Sequence, residues 1–288
     1  MRARAFLRLT RPVFLLGGGL LYALGAALSE GPIEWVDYAL GQALVTSVQL
    51  TAQYANEYFD IEPDRLAGKH RTWLTGGSGV LPTGQLPPAT ALRAAIVTSG
   101  IALGLAAAVA PISGGASIVG LLALLGSWLY STPPVRLVST GWGVAAASTI
   151  VAALTPLTGA LIQGSVPVDR FVAVAVPLWL IHNAMLIAFE RPDLTGDTAA
   201  GKRTLSVRLG PRQSARLHTA FLSVSLAALV LATIPGPLNW DEAGWAFALV
   251  PLGVLQAWWF SRASDPVLTT SALATFGGSA LALLGGLV

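Results

Sequence analysis

Long apolar runs separated by short polar stretches dominate the pattern of the chain. Charged residues, proline or glycine bound each run, and the runs approach the roughly 20 residues that span a bilayer as a helix. The pattern predicts nine transmembrane helices at 12–29, 37–58, 89–110, 114–131, 139–162, 170–190, 214–234, 242–261 and 267–287. The stretch from Phe59 to Pro88 is polar and too long for a simple turn. We therefore expect an all-α, polytopic membrane bundle with one substantial polar loop.

The composition is typical of an integral membrane protein. Hydrophobic residues make up 54% and charged residues only 11%, against about 25% charged residues in soluble domains. No linker interrupts this composition, so residues 1–288 are predicted to form one domain. The absence of cysteine excludes disulfides, thiol catalysis and cysteine metal sites. The net charge of +3 is not evidence for nucleic-acid binding, because in a membrane protein the placement of charges matters more than their sum. We expect no nucleic-acid partner.

The placement of lysine and arginine predicts the orientation. With nine spans and a cytoplasmic N-terminus, every basic residue except Arg170 falls on the cytoplasmic side. A wrong number of spans would scramble this segregation. The arginines before the first run would also suit a secretory signal, but that run is long enough for a span. The expectation is a multi-pass protein of the plasma membrane whose N-terminus and polar loops face the cytoplasm.

One polar stretch occurs twice. The first copy begins at Asp60 and the second at Asp193, and each has a further aspartate four residues later, at Asp64 and Asp197. In both copies Ala-Gly-Lys and then Arg-Thr follow. The copies leave predicted spans two and six, and this even offset makes the halves parallel repeats about an axis along the membrane normal. We expect two four-helix repeats plus one extra helix, with both copies facing one cavity.

The aspartates predict a metal site. Residues at i and i+4 share a helix face, and Asn56 lies one turn before Asp60 on that face. Four carboxylates converging at a membrane cavity require a cation, and hard oxygen ligands suit Mg²⁺. A single pair would more simply be a solvated loop with local ion pairs, but two copies in register favour the site. Basic residues that follow the aspartates are predicted to contact phosphate: Arg65, Lys69, Arg71, Lys202 and Arg203.

These motifs resemble those of the UbiA superfamily of intramembrane prenyltransferases. The resemblance rests on Asn56-Glu-Tyr-Phe-Asp60-Ile-Glu-Pro-Asp64, on Asp193-Leu-Thr-Gly-Asp197 with Gly-Lys-Arg-Thr-Leu after it, on Arg11-Pro12, and on Tyr130 to Arg136. It covers essentially the whole chain. It implies a nine-helix bundle that binds a polyprenyl diphosphate through Mg²⁺, with a lateral opening to lipid and with Tyr130 and Arg136 contacting substrate.

The resemblance also implies a mechanism. Mg²⁺ held by the catalytic residues Asp60, Asp64, Asp193 and Asp197, with Asn56 assisting, would make the diphosphate a better leaving group. The basic residues would take up charge on the departing oxygens. A small aromatic acceptor would then attack the allylic carbocation, which aromatic walls must shield from water. Tyr58, Phe59 and Tyr130 are candidates for that wall by position.

The acceptor is less well defined by the sequence. A Thr-Gly-Gly-Ser segment at Thr75–Ser78, either a lid or a flexible connector, is similar to the menaquinone-type branch. That branch acts on 1,4-dihydroxy-2-naphthoate, our main expectation. It usually has asparagine before the second motif, where this chain has Phe189 and Glu190. Transfer to 4-hydroxybenzoate, homogentisate, glyceryl phosphate or chlorophyllide therefore remains open.

Other polar residues have two interpretations each. His182 and Asn183 suit a helix-to-helix hydrogen bond or an acceptor contact, and Gln49 and Gln53 suit the same two roles. Glu57 and Glu62 are predicted to be solvated.

Two other classes of protein share some of these features. A small transporter would also have parallel repeats, but here no carboxylate lies in the middle of a span. Phosphatidyltransferases that use CDP-alcohols place their aspartates in a single denser block, which this chain lacks.

Overall fold

A computed structural model describes residues 2–67 and 72–288, and all regular structure in these residues is helical. The predicted Lys69 and Arg71 lie outside the described residues. The N-terminal helices are α1 (Arg2–Leu9), α2 (Pro12–Ala27), α3 (Trp35–Phe59), α4 (Ile61–Ala67), α5 (Pro88–Val109) and α6 (Gly114–Ser131). The C-terminal ones are α7 (Gly143–Thr149), α8 (Thr155–Ile162), α9 (Val168–Ala199), α10 (Leu205–Thr233), α11 (Trp240–Ala243), α12 (Val250–Trp259) and α13 (Asp265–Leu287).

The helices account for a multi-pass membrane protein. Six helical segments of the described chain are long and apolar enough to cross a bilayer, or seven if α1 and α2, bent by 41°, form one span. One of the six, Gly143–Ile162, joins α7 to α8 through the π-helical residues Ile150–Leu154. All nine predicted runs fall on helical structure, but two of them differ in kind. Helix α3 has 25 residues and several polar side chains, and a 3-10 segment at Gly244–Leu249 separates α11 from α12.

The two copies of the repeated stretch begin differently. Helix α3 ends at Phe59, and Asp60 leaves the helical conformation with φ −104° and ψ 14° before α4 starts. Pro63 cannot donate a hydrogen bond to the carbonyl of Phe59, which favours this break. By contrast α9 runs for 32 residues, to Ala199. Helix α9 therefore continues nine residues beyond the predicted span at 170–190, and Asp193 lies on the same helix as the apolar residues before it.

Close helix packing brings the two copies together. Helix α3 packs against α2, α5 and α6, whereas α9 packs against α4, α10 and α13. Helices α2 and α8 touch through backbone: a Cβ on Gly25 would lie 1.8 Å from the carbonyl oxygen of Pro156, and one on Gly159 would lie 2.2 Å from that of Tyr22. Small residues at such a crossing let membrane helices approach closely. Because α4 lies on α9, the first copy reaches the second.

Candidate active site

Both copies line one polar pocket of about 160 Å³. It is bounded by the end of α3, by α4, by the last turns of α9 and by the glycine-rich loop that precedes α5. The repeated residues on its wall are Asn56, Asp60, Asp64, Asp193 and Asp197, with Tyr130, Glu190 and Lys202 beside them. The residues predicted from two separate parts of the sequence thus meet at one place.

Lys202 connects the two copies. Its Nζ lies 2.9 Å from Oδ2 of Asp60 in the first copy and 3.3 Å from Oδ1 of Asp197 in its own. Burial alone would lower the pKa of this ammonium group, but the two carboxylates raise the pKa above its ordinary value. Arg136 Nη2 lies 2.9 Å from Oδ1 of Asp60, and Asn56 Nδ2 donates to Oδ2 at 3.1 Å. Asp60 is therefore surrounded by donors.

Asp64 and Asp193 have a different environment. Burial, together with the charges of Asp60, Glu57 and Asp193, raises the pKa of Asp64 to about 8. Oδ1 of Asp193 is buried and has no hydrogen-bond partner among the described residues. Arg11 lies near both carboxylates: it lines the same pocket, stacks over the Phe14 ring at 4.5 Å and donates to the carbonyl of Leu74. The charge of Lys202 also acts on Asp193. The carboxylates thus divide into Asp60 and Asp197, which pair with Lys202, and Asp64 and Asp193, which form no ion pair with any described residue.

The second pair fits a hard divalent cation in part. Among the described residues no three histidine, aspartate or glutamate side chains are close enough to hold a metal by themselves. Mg²⁺, however, is usually bound through one or two carboxylates, with water and substrate phosphates completing the octahedron. The unpartnered oxygen of Asp193 and the carboxyl of Asp64 supply that kind of donor. The donor set therefore suits Mg²⁺ shared with a diphosphate.

The glycine-rich loop forms a fixed wall of the pocket. Ser78 donates from its backbone nitrogen to Oε1 of Glu57 at 2.5 Å and from its hydroxyl to Oε2 at 2.6 Å. The prediction that Glu57 is solvated was wrong: it is 1% exposed, because it turns away from the aspartate face toward this loop. Gly77 has φ +66°, and a Cβ there would lie 1.9 Å from Oδ2 of Asp64. Glycine is required for this close approach.

Several predicted residues lie elsewhere. Arg65 is exposed and pairs with Glu62 one turn away on α4, which agrees with the prediction that Glu62 is solvated. The Arg203 side chain is exposed, and its backbone nitrogen donates to the Ser139 carbonyl. Tyr58 and Phe59 pack edge to face against each other, with ring centroids 5.0 Å apart. They line neither the polar pocket nor the apolar cavity that adjoins it.

An apolar cavity of about 300 Å³ adjoins the polar pocket. The two share five lining residues, namely Arg11, Asn56, Tyr130, Leu186 and Phe189. The cavity continues between α2, α3, α6, α9 and α13, and Phe14, Phe276 and Met185 contribute to its surface. A polar head group in the pocket could therefore extend an apolar chain directly into this cavity.

Two polar residues of α9 prove to have separate roles. His182 is buried, its Nδ1 lies 2.9 Å from Ser148 Oγ on α7, and its ring also lines the apolar cavity. The contact with Ser148 is the predicted bond between helices, and the predicted contact with the acceptor stays a prediction. Asn183 donates to the Trp179 carbonyl of its own helix at 2.7 Å.

A profile of the UbiA prenyltransferase family matches residues 19–280. The chain belongs to the UbiA prenyltransferase family. It is 30% identical to a digeranylgeranylglyceryl phosphate synthase of Thermococcus gammatolerans, over 89% of this chain and 87% of the relative. It is 24% identical to a 1,4-dihydroxy-2-naphthoate octaprenyltransferase of Bacillus subtilis, over 80% of this chain and 73% of the relative. The predicted prenyltransferase is confirmed.

The fold has solved counterparts. A UbiA homolog from Archaeoglobus fulgidus, bound to DMAPP and Mg²⁺, superposes with a TM-score of 0.69 over 97% of this chain and 99% of that one, at 19% identity. The architecture of this UbiA protein is thus shared at a level where sequence similarity is low.

Two residues that line the polar pocket, Arg11 and Glu190, were not among the predicted site residues. Arg11 was noted only as part of an Arg-Pro pair, although the backbone must turn there, with φ 44°, to let α2 start at Pro12. Glu190 stands three residues before Asp193, as Glu57 stands before Asp60. Glu190 accepts from the backbone nitrogen of Ser206 at 2.8 Å, the counterpart of the contact between Glu57 and its loop. Extending the comparison of the two copies upstream would have found this pair.

Proposed function

We propose that this protein transfers a polyprenyl group from an allylic polyprenyl diphosphate to a lipid-soluble acceptor, in a reaction that depends on Mg²⁺. The observation that carries the proposal is the junction of a pocket lined by both aspartate pairs with an apolar cavity. The polar pocket offers ligands for a diphosphate and its metal, and the apolar cavity offers space for a polyprenyl chain. The homolog from Archaeoglobus fulgidus, bound to DMAPP and Mg²⁺, supports the same division.

The proposed roles of the carboxylates follow from their partners. Asp64 and Asp193, with Asp60, Asp197 and Asn56 behind them, would hold the metal. When bound, Mg²⁺ neutralises the diphosphate and makes it a better leaving group. Oδ1 of Asp193, which makes no hydrogen bond with the described residues, could bind the metal without breaking any contact seen among them.

The basic side chains would bind the leaving diphosphate. Lys202, Arg136 and Arg11 all reach the pocket or its carboxylates, and we extend the proposal to Lys69 and Arg71 from the sequence alone. Each contributes donors or positive charge where negative charge grows as the allylic C–O bond breaks. The cavity walls Tyr130, Phe14 and Phe189, not Tyr58 and Phe59, are positioned to exclude water from the cation.

The relatives favour a glyceryl phosphate acceptor over the aromatic one expected from the sequence. The relative with 30% identity is a digeranylgeranylglyceryl phosphate synthase, and further synthases of that name match at 26–28%. We therefore propose a prenylated glyceryl phosphate as acceptor. A second candidate is 1,4-dihydroxy-2-naphthoate, because the Thr75–Gly77 segment that suggested this branch lines the polar pocket and a Bacillus subtilis enzyme with this acceptor is a relative.

An acceptor panel tests the proposal. The purified protein is incubated with radiolabelled geranylgeranyl diphosphate and each acceptor, with Mg²⁺ or with a chelator. We expect one prenylated product that requires Mg²⁺, and a loss of roughly 10²–10³-fold in Asp64→Asn and Asp193→Asn. Asp37→Asn, in the first turn of α3 at the opposite end from the pocket, is the control. Product formation that survives chelation and both substitutions would overturn the proposal.

We also propose nine spans, arranged as two parallel repeats and one extra helix in the plasma membrane, with the site on the cytoplasmic side. Because the chain has no cysteine, single cysteines report the orientation. A cysteine at the exposed Glu62 should react with an impermeant maleimide only after the cells are opened, whereas one at the exposed Glu30 should react in intact cells. Labelling at Glu62 in intact cells would refute this topology.

A further inference from the structure

Helix α3 carries a polar stripe into the apolar cavity. Gln49 and Gln53 follow Asn56 toward the membrane interior at helical spacing, and all three line the cavity. At a rise of 1.5 Å per residue, Gln53 lies about 4.5 Å and Gln49 about 10 Å below Asn56 along the helix. An amide in such surroundings costs free energy unless its hydrogen bonds are satisfied. The stripe therefore calls for a partner.

The orientation of the Gln49 amide is fixed by the protein. Its Nε2 donates to the carbonyl oxygen of Phe14 on α2 at 3.3 Å. Space for the amide exists because residue 18 is glycine: a Cβ at Gly18 would lie 1.7 Å from that same nitrogen. The nitrogen being engaged, Oε1 is left as the acceptor. Gly18 thus provides the space that this side chain occupies.

Both amide oxygens lack a donor within the described parts of the chain. Oε1 of Gln49 and Oε1 of Gln53 are buried and make no hydrogen bond there. A polyprenyl chain has no donor to offer, and a phosphate or carboxylate would be repelled by an amide oxygen. A hydroxyl group satisfies them. Of the two substrates of the proposed reaction, only the acceptor carries one.

We propose that Gln49 and Gln53 form the subsite that recognises the hydroxyl groups of the prenyl acceptor. The inference rests on the proposed function and adds to it the chemical class of the ligand: an alcohol or phenol whose O–H donates to an amide oxygen. The subsite continues from the polar pocket through Asn56, so a hydroxyl held there faces the end of the diphosphate site. The phosphate of a prenylated glyceryl phosphate would lie toward Arg11 instead, which lines the same cavity.

The test compares leucine substitutions on one helix. Gln49→Leu and Gln53→Leu remove the amides, and Gln42→Leu is the matched control, since Gln42 bonds to Thr46 on its own helix and does not line the cavity. We expect the KM for the acceptor to rise about tenfold in the first two variants. The KM for the polyprenyl diphosphate and the Mg²⁺ dependence should stay at wild-type values. Gln42→Leu should change neither.

A second measurement separates recognition from packing. An O-methylated acceptor cannot donate, so wild type should bind it, as an inhibitor, more weakly than the hydroxyl form, and Gln49→Leu should lose this preference. Gly18→Ala, which displaces the Gln49 amide without removing it, should act in the same direction. An unchanged acceptor KM in both variants, or an equal rise in the KM for the diphosphate, would overturn the subsite alone. Failure of wild type to form any product would overturn the proposed function itself.

Discussion

Substitution of Lys202 by methionine tests whether this side chain neutralises the junction of the two copies. The ammonium group lies within ion-pair distance of Asp60 and Asp197, and its side chain is only 6% exposed. Methionine keeps most of the volume and removes the charge. We expect the variant to be less stable without metal but to respond more strongly to Mg²⁺.

The magnitude follows from what each carboxylate retains. Asp60 keeps the ion pair with Arg136 at 2.9 Å and the hydrogen bond from Asn56. Asp197 has Lys202 as its ion-pair partner within the described chain. Removing one partner of a buried pair costs about 3–5 kcal/mol, and because Asp60 remains compensated we expect about 3 kcal/mol. Mg²⁺ at 100 times its dissociation constant stabilises the variant by about 2.7 kcal/mol. Wild type should gain less at the same Mg²⁺ concentration, because Lys202 competes with the metal for the carboxylates.

The assay is unfolding in detergent, followed by the fluorescence of the nine tryptophans, in chelator and across a series of Mg²⁺ concentrations. Arg65→Met is the control, since Arg65 and Glu62 form an exposed pair of the kind that contributes about 0–1 kcal/mol. Polyprenyl diphosphate binding should weaken in the Lys202 variant although the response to metal increases. Equal stability of both variants in chelator, or the same Mg²⁺ response as in wild type, would refute the reasoning.

Three further predictions concern the same pocket. Gly77→Ala should abolish most activity, because a Cβ there would overlap Asp64. Gly84→Ala should not, because Gly84 has a similar positive φ but no described atom within 4 Å of the position of a Cβ; product formation is the measurement. Glu57→Gln should weaken the anchor of the glycine-rich loop by about 1.5–3 kcal/mol and speed its proteolysis, unlike Glu62→Gln. The pKa of Asp64 is about 8 in the folded chain against an ordinary 3.8, so between pH 4 and 8 the carboxyl ionises in the unfolded chain while it stays protonated in the folded one. Stability therefore falls as pH rises through this window. Without metal, Asp64→Asn should flatten the decline in stability measured over this window. An unchanged slope would contradict the raised pKa of Asp64.

The general architecture could be predicted because it depends on composition and local period. Each apolar run must satisfy its own backbone as a helix in lipid, so the runs appear directly in the sequence. The four aspartates could also be predicted from the sequence, since a repeated spacing indicates a repeated local geometry. Their convergence followed from the even number of spans between the copies. These features require no knowledge of which side chains touch.

The partners of the charged groups could not be predicted in the same way. Glu57 is adjacent to Asn56, and a helix turns neighbouring residues to different directions. What Glu57 meets there is Ser78 in a later loop, and only the folded chain determines that. Lys202 is similar: the sequence suggested a phosphate ligand, and the fold places it against a carboxylate 142 residues away. Long-range electrostatic pairing is thus invisible to periodicity.

The difference between the two copies explains the unequal state of their aspartates. Glu57 and Glu190 occupy equivalent positions, and each anchors the segment that follows its motif through a serine nitrogen. One position earlier the copies diverge: Asn56 donates to its aspartate, whereas the second copy has a phenylalanine that lines the apolar cavity.

Phe189 cannot donate a hydrogen bond from its side chain, and Oδ1 of Asp193 accepts none from the part of the chain that the structure describes. The phenylalanine in the second copy therefore has two effects. It extends the apolar cavity to the edge of the polar pocket, and it leaves a carboxylate oxygen that is not bonded by any described residue and could bind a cation. A donor at this position would remove both features, so Phe189→Asn should weaken metal binding even though it restores the symmetry of the repeat. Tighter Mg²⁺ binding in that variant would show that the free oxygen is not a metal ligand.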